Sequence, residues 1–169
     1  MNELYNAIIN QFCQITRSCK DAMRLCQSWG YNGFKRRYRR MARHFFNWEI
    51  CLENELFDKY RMVAMSNHET MPYSPANFKE HFPQWDKFLK NSIDQLVGYS
   101  KQFLDQIGME NCTLSCALDH LVKDYEKTGR WHKRFAESGF NPHDTHRLDD
   151  DLHEKERQKE EKEMDGWKS

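Results

Sequence analysis

Residues 33–60 read GFKRRYRRMARHFFNWEICLENELFDKY. Apolar side chains recur here at steps of three and four: Phe34, Tyr38, Met41, Phe45, Trp48, Leu52 and Leu56. That period is the helical one, and it puts all seven on one face. The spacing predicts a helix over 34–63 with an apolar stripe turned inward. His44 sits beside that stripe and Glu49 at its edge. Glu49 and Glu53 are one turn apart and share a face. Whether the acids or the apolar residues fill the interior separates a metal-binding interior from a packed one.

The same period extends on both sides. Tyr5, Ile8, Phe12, Ile15, Cys19, Ala22 and Cys26 predict a first helix over 3–27, broken by WGYNG at 29–33. Leu89, Ile93, Leu96, Ser100, Phe103 and Ile107 predict a third over 84–107, ended by Gly108. Leu114, Leu118, Leu121, Tyr125, Thr128, Trp131 and Phe135 predict a fourth over 110–138. Pro72, Pro75, Pro83 and Pro142 are read as punctuating the connections. No sustained alternation suggests a strand. The expected class is all-α. Its four helices, each roughly 35–45 Å long, form two antiparallel hairpins with short turns, joined by the long link AMSNHETMPYSPANFKEHFP.

Composition narrows the function. Lys+Arg and Asp+Glu both number 26, so a purely electrostatic nucleic-acid or membrane binder is not the default. No apolar run suits a secretory signal or a bilayer span, which points to a cytoplasmic protein with no membrane partner. The six cysteines are then expected to be reduced, half-buried thiols. Cys112 and Cys116 are one turn apart, but no CxxC accompanies them, and a small buried apolar role is expected over a metal pair. Toward the end the character changes: DTHRLDDDLHEKERQKEEKEMDGWKS, residues 144–169, is almost wholly charged. Residues 1–140 are therefore assigned to the helical domain, and 141–169 to a charged tail, solvated helix or disordered.

The pattern resembles the eukaryotic-type ferritins. The stretch 33–60 resembles their second helix, FLKNSIDQLVGYSKQFLDQIG their third, and LVKDYEKTGRWHKRFAESG their fourth, with Val122-Lys123 ahead of Gly129 and Gly139; ELY at 3–5 is similar to their first. The resemblance covers most of 3–139 and implies a ferritin-like four-helix bundle. It also implies assembly into a hollow shell that stores ferric iron, and in heavy-type subunits a di-iron ferroxidase centre of inward carboxylates and a histidine. Transferred onto this chain, that centre is degenerate. The first-helix glutamate falls at Asn10 and its following tyrosine at Arg17, or, if ELY sets the register, at Glu3 and Asn10. The second-helix Glu…His pair falls at Phe45 and Trp48, the third-helix glutamate at Leu89, and the fourth-helix glutamine at Leu121. Buried apolar groups there contribute roughly 1.5–3 kcal/mol each, whereas carboxylates there need a metal or a proton. RLDDDLHEKERQ stands where the family has an apolar fifth helix, and only Leu148 and Leu152 in it are apolar.

The expected function is a ferritin-like subunit without ferroxidase activity. Its role would be light-type, in iron storage or homeostasis, in a homo- or hetero-oligomer with ferritin-type subunits. No resident cofactor is expected, only iron as stored mineral, with Glu49, Glu53 and Glu55 as candidates for its nucleation. Two other readings stand beside it. One is a relocated acidic metal site at Glu49, Glu53 and Asp124, with Arg17 or Arg130 as partners if these acids are only salt-bridged; His120 and His132 offer further imidazoles, and an active ferroxidase would need such a set. The other is binding of nucleic acid or an acidic partner through Lys35, Arg36, Arg37, Arg39, Arg40 and Arg43, a face that the acidic tail could fold back on and mask.

Overall fold

The computed structural model describes residues 2–63, 75–107 and 112–168, and these are all-α. Five helices follow in order: α1 (Asn2–Ser28), α2 (Asn32–Tyr60), α3 (Phe78–Ile107), α4 (Cys112–Glu137) and α5 (Pro142–Lys168). No helix among the described residues is long and apolar enough to cross a membrane. The link over 64–74, with Pro72, and the expected stop at Gly108 lie outside the described residues, as does the side chain of Cys112.

The apolar stripes form the core. Every residue of the α1 stripe from Tyr5 to Cys26 is fully buried, as are Phe34, Tyr38, Met41, Phe45, Leu52 and Leu56 on α2. Leu89, Leu96 and Phe103 of α3 join them, with Leu114, Leu121 and Phe135 of α4. Helix α1 packs on α2 and α3, and α4 packs on the same two, so these four helices close a ring of neighbours. Trp48 departs from the stripe: it is half-buried, 5.3 Å from the His120 ring.

The α1–α2 turn is made by Gly30, at φ 84, with Tyr31 N–H returning to the Cys26 carbonyl. Only glycine takes that backbone without strain. Helix α3 starts six residues before its expected position. Asn77 Oδ1 accepts the Glu80 N–H at 3.0 Å, and Glu80 Oε2 accepts the Ala76 N–H at 3.1 Å. This reciprocal cap outweighs the backbone bond that Pro83 forgoes inside the helix. Pro83 is therefore not a breaker. Pro142, in contrast, occupies the first position of α5, behind Asn141, whose Oδ1 accepts the His143 N–H.

The largest departure from expectation is α5. It is a continuous helix packed on α2 and α4, with Thr145, Leu152 and Glu156 fully buried and Leu148 and Asp149 nearly so. It buries a face because α2 offers cations and helix-end N–H groups to its acids, and α4 offers the Trp131 ring to Lys155. Leu148 and Leu152 are the apolar part of that face.

Candidate functional site

Of the positions that the resemblance gives to a di-iron centre, the fully buried ones hold hydrocarbon. Phe45, Leu89 and Leu121 are fully buried in the common core, Trp48 is half-buried, and Asn10 and Arg17 lie half-buried on α1. Glu3 is exposed. Among the described residues no group of three or more His, Cys, Asp or Glu side chains is placed to hold a metal ion. The residues present do not fit a di-iron centre.

The three acids singled out in the sequence separate into two environments. Glu49 is buried and accepts a hydrogen bond from Cys13 Sγ at 2.8 Å. Its neighbour Glu53 is hydrogen-bonded to it, and burial together with the Glu49 charge pushes the Glu53 carboxyl above its ordinary range. The same two acids add to burial in raising the Tyr5 phenol to about 12. Asp124 belongs elsewhere. It is held by the Arg37 guanidinium and by His44 Nδ1 at 3.0 Å. Burial acts to raise its carboxyl, but His44 and Arg37 together outweigh it and leave the group below the usual range. The chain thus brings Glu49 and Glu53 together and commits Asp124 to cations. Glu55 pairs with Lys59 at 2.8 Å.

The basic stretch 35–43 meets α5 along its length. Arg37 is 1% exposed and reaches Asp124 and Glu156, with Nε donating to Thr128 Oγ1 at 3.1 Å. Arg40 pairs with Glu156 at 3.2 Å and with Glu163. Arg36 and Arg39 share Glu160, at 3.5 and 3.2 Å. The partners on the two helices rise together along the chain, so α5 runs parallel to α2. At its start, the Asp149 carboxylate accepts the N–H groups of Gly33 and Phe34, at 3.0 and 3.1 Å. It thereby caps α2, whose own Tyr31 supplies no side-chain cap. Gly33 is obligatory there: a Cβ would lie 2.2 Å from the Asp149 carbonyl oxygen. Lys35 is half-buried and Arg43 exposed, and neither takes part in these pairings.

The sequence reading missed a polar chain through the core. Tyr38 Oη bonds His81 Nε2 at 2.9 Å and His132 Nε2 at 2.7 Å. A hydroxyl donates once, so it gives its proton to one ring and accepts from the other, and both imidazoles are served while neutral. Aromatic rings enclose them: Phe82 stacks on His132 at 3.8 Å, and Phe34 lies 4.3 Å from it. Burial lowers His81 to about 4 and His132 well below its ordinary value. The signal for His81 was present: Phe78, His81, Trp85 and Leu89 are at helical spacing and extend the α3 stripe by about three turns. His132 joins this chain rather than Asp124, and His120 is exposed.

Compared with known proteins, the chain matches no family model, no curated protein and no solved structure at a significant level.

Proposed function

We propose that this chain is a ferritin-like four-helix bundle, two antiparallel hairpins joined by a crossover, that has no ferroxidase centre. It serves as a light-type, non-catalytic subunit in iron storage or iron homeostasis. The observation that carries the reading is the interior itself. Four helices neighbour one another in a ring, and the inward positions Phe45, Leu89 and Leu121 are filled by buried hydrocarbon where a ferroxidase would need carboxylates. Hydrocarbon cannot ligate iron, whereas packed it adds stability.

Nucleic-acid or acidic-partner binding through 35–43 finds less support. Arg37 and Arg40 bind Glu156 in a buried or nearly buried seam, and Arg36 and Arg39 share Glu160. Only Lys35 and Arg43 stand outside that network.

Aerobic Fe(II) oxidation, followed by absorbance beside size exclusion with iron detection, tests the reading. The expected result is oxidation no faster than background. Co-assembly with an active ferritin-type subunit into an iron-retaining particle would support the storage role. Rapid oxidation by the isolated chain would overturn the inactive-subunit assignment. An isolated chain that never joins such a particle would overturn the storage role.

A further inference from the structure

Helices α4 and α5 run antiparallel: Lys155 stands over the Trp131 ring, and His44 joins Asp124 to Glu163, so α5 advances as α4 recedes. Each helix lines the seam between them with a row of cations. On α4 these are Lys123, Lys127, Arg130 and Arg134, at steps of four and three; on α5 they are Lys155, Lys159 and Lys162, at the same steps. Two observations set the rows side by side. Arg134 and Lys155 share the Trp131 ring, at 4.5 and 5.1 Å from its centroid. Further along, Lys127 and Lys159 both feel the Glu156 charge. From 123 to 134 the double row is about 16 Å long.

The rows are short of acids. Lys159 reaches Glu156 at 3.9 Å, but that carboxylate already serves Arg37 and Arg40. Among the described residues the other six cations make no ion pair. Lys123, Arg130, Arg134, Lys155 and Lys162 are exposed. Lys127 is half-buried, and burial together with the Arg37 charge holds its ammonium below its usual range. Acids bound the track rather than enter it. Glu126 and Glu137 stand on the outer side of α4, and Glu154 and Glu161, both paired with Arg157, on that of α5. Asp119 and Asp151, each a turn before the first cation of its row, mark the two ends.

We propose that this α4–α5 track binds the phosphate backbone of a single nucleic-acid strand without reading its bases. Each phosphodiester carries a full negative charge, and ammonium groups bind it as point charges. Successive cations in a row are about 5–6 Å apart, a step that an extended strand can follow phosphate by phosphate. Inorganic polyphosphate crowds its charges more closely than that. The acidic flanks leave room for one strand and repel the second strand of a duplex. Trp131 is 7% exposed beneath Arg134 and Lys155, so no base can stack on it. The surface is separate from 35–43, most of whose arginines are taken up by α5. The inference goes beyond the proposed function and stands whether or not the chain is ferritin-like.

Fluorescence anisotropy of the full chain with labelled oligothymidylate and oligouridylate, in a salt series, tests it. Saturable binding is expected at low salt, with log affinity falling against log salt at a slope of about −2 to −3, as for three or four neutralised phosphates. Lys123→Glu/Arg130→Glu/Lys162→Glu, with folding verified by circular dichroism, should weaken binding at least about tenfold. The milder Lys123→Ala/Arg130→Ala/Lys162→Ala should weaken it less and flatten the salt slope. Lys79→Glu/Lys87→Glu/Lys101→Glu on α3 makes the same change in net charge and should bind nearly as the wild type does. Absence of binding at low salt overturns the proposal. So does equal loss in the two glutamate triples, or loss in Lys35→Glu/Arg43→Glu with none in the α4–α5 variants. A duplex bound as tightly as the single strand would overturn the one-strand fit. A chain that binds inorganic polyphosphate but neither oligonucleotide would overturn the nucleic-acid assignment.

Discussion

Helix α2 is buried on two sides by opposite chemistries. Toward α1, α3 and α4 it presents Phe34, Met41, Phe45, Leu52 and Leu56, all fully buried among apolar side chains. Toward α5 it presents Gly33, Arg37 and Arg40, met by Asp149, Glu156 and Glu163. The first seam draws its stability from removing hydrocarbon from water, and it tolerates small shifts in register. The second gains little over an apolar equivalent, since desolvation offsets the attraction. What it supplies is placement: Asp149 meets the Gly33 and Phe34 N–H groups, Glu156 meets Arg37 and Arg40, and Glu160 meets Arg36 and Arg39, so a slip of one turn would strand buried charges.

The sharpest way to break this contrast is to remove one charge from the second seam. Arg37 is almost fully buried and serves Asp124, Glu156 and Thr128 together. Arg37→Ala leaves a carboxylate at Glu156 without water and with less positive charge beside it. The expected loss in unfolding free energy, measured in urea, is about 3–5 kcal/mol. Arg37→Met with Glu156→Leu should lose clearly less, because both buried charges go. If the single variant is as stable as wild type, α5 is not held by these pairs.

The two seams also differed in how plainly the sequence displayed them. The core stripes of α1 and α2 could be read directly, because burying one face of a helix in hydrocarbon imposes a three-and-four period on apolar residues. Helix α5 has the same period, in Thr145, Leu148, Asp149, Leu152 and Glu156, but mostly in polar letters. Its burial depends on what Arg37, Arg40 and the first turn of α2 offer it, which hydropathy along one segment cannot register. Masking of the basic stretch by the tail could be imagined from charge alone; the register could not. The start of α3 was legible in Asn77 and Glu80, but Pro83 was given too much weight as a breaker. At the candidate site, the hydrocarbon at Phe45, Leu89 and Leu121 was legible from the stripes. The fate of Asp124 was not, because it rests on Arg37 reaching across from another helix.

The apolar interior has its own polar insertion, and acid should expose it. His81 is buried and neutral, lowered to about 4, and His132 is shifted the same way. In the unfolded chain both titrate near 6.5. Between that value and about 4 the unfolded state binds more protons, so stability is complete above this window and is lost as pH falls through it. His81 alone should remove about 2 kcal/mol by pH 5. Glu53 and Asp149, both raised by burial, act in the opposite direction at their own higher-than-usual values. Urea midpoints at pH 7 and pH 5 would measure the net slope. His81→Phe should flatten it, and an unchanged slope would mean that His81 is not held neutral.

The smallest expected effect lies where α5 first meets α2. Asp149 accepts the Gly33 and Phe34 N–H groups, satisfying two of the donors that the start of a helix leaves without partners. Burial raises its carboxyl even though those two N–H groups draw it down, so part of the gain from the cap is spent on desolvation. Asp149→Ala should therefore destabilise by only about 1 kcal/mol, well below Arg37→Ala, although both residues stand on the same seam. Amide hydrogen exchange distinguishes a cap from mere packing. If the carboxylate is the cap, the Gly33 and Phe34 amides lose protection in Asp149→Ala while those of Phe45 and Leu52 keep theirs. Uniform loss along α2 would instead show that Asp149 supports the seam as a whole. The order of the two variants is the decisive quantity: the Arg37 junction exceeds the Asp149 cap only if buried charge, rather than helix-end hydrogen bonding, fixes α5 on α2.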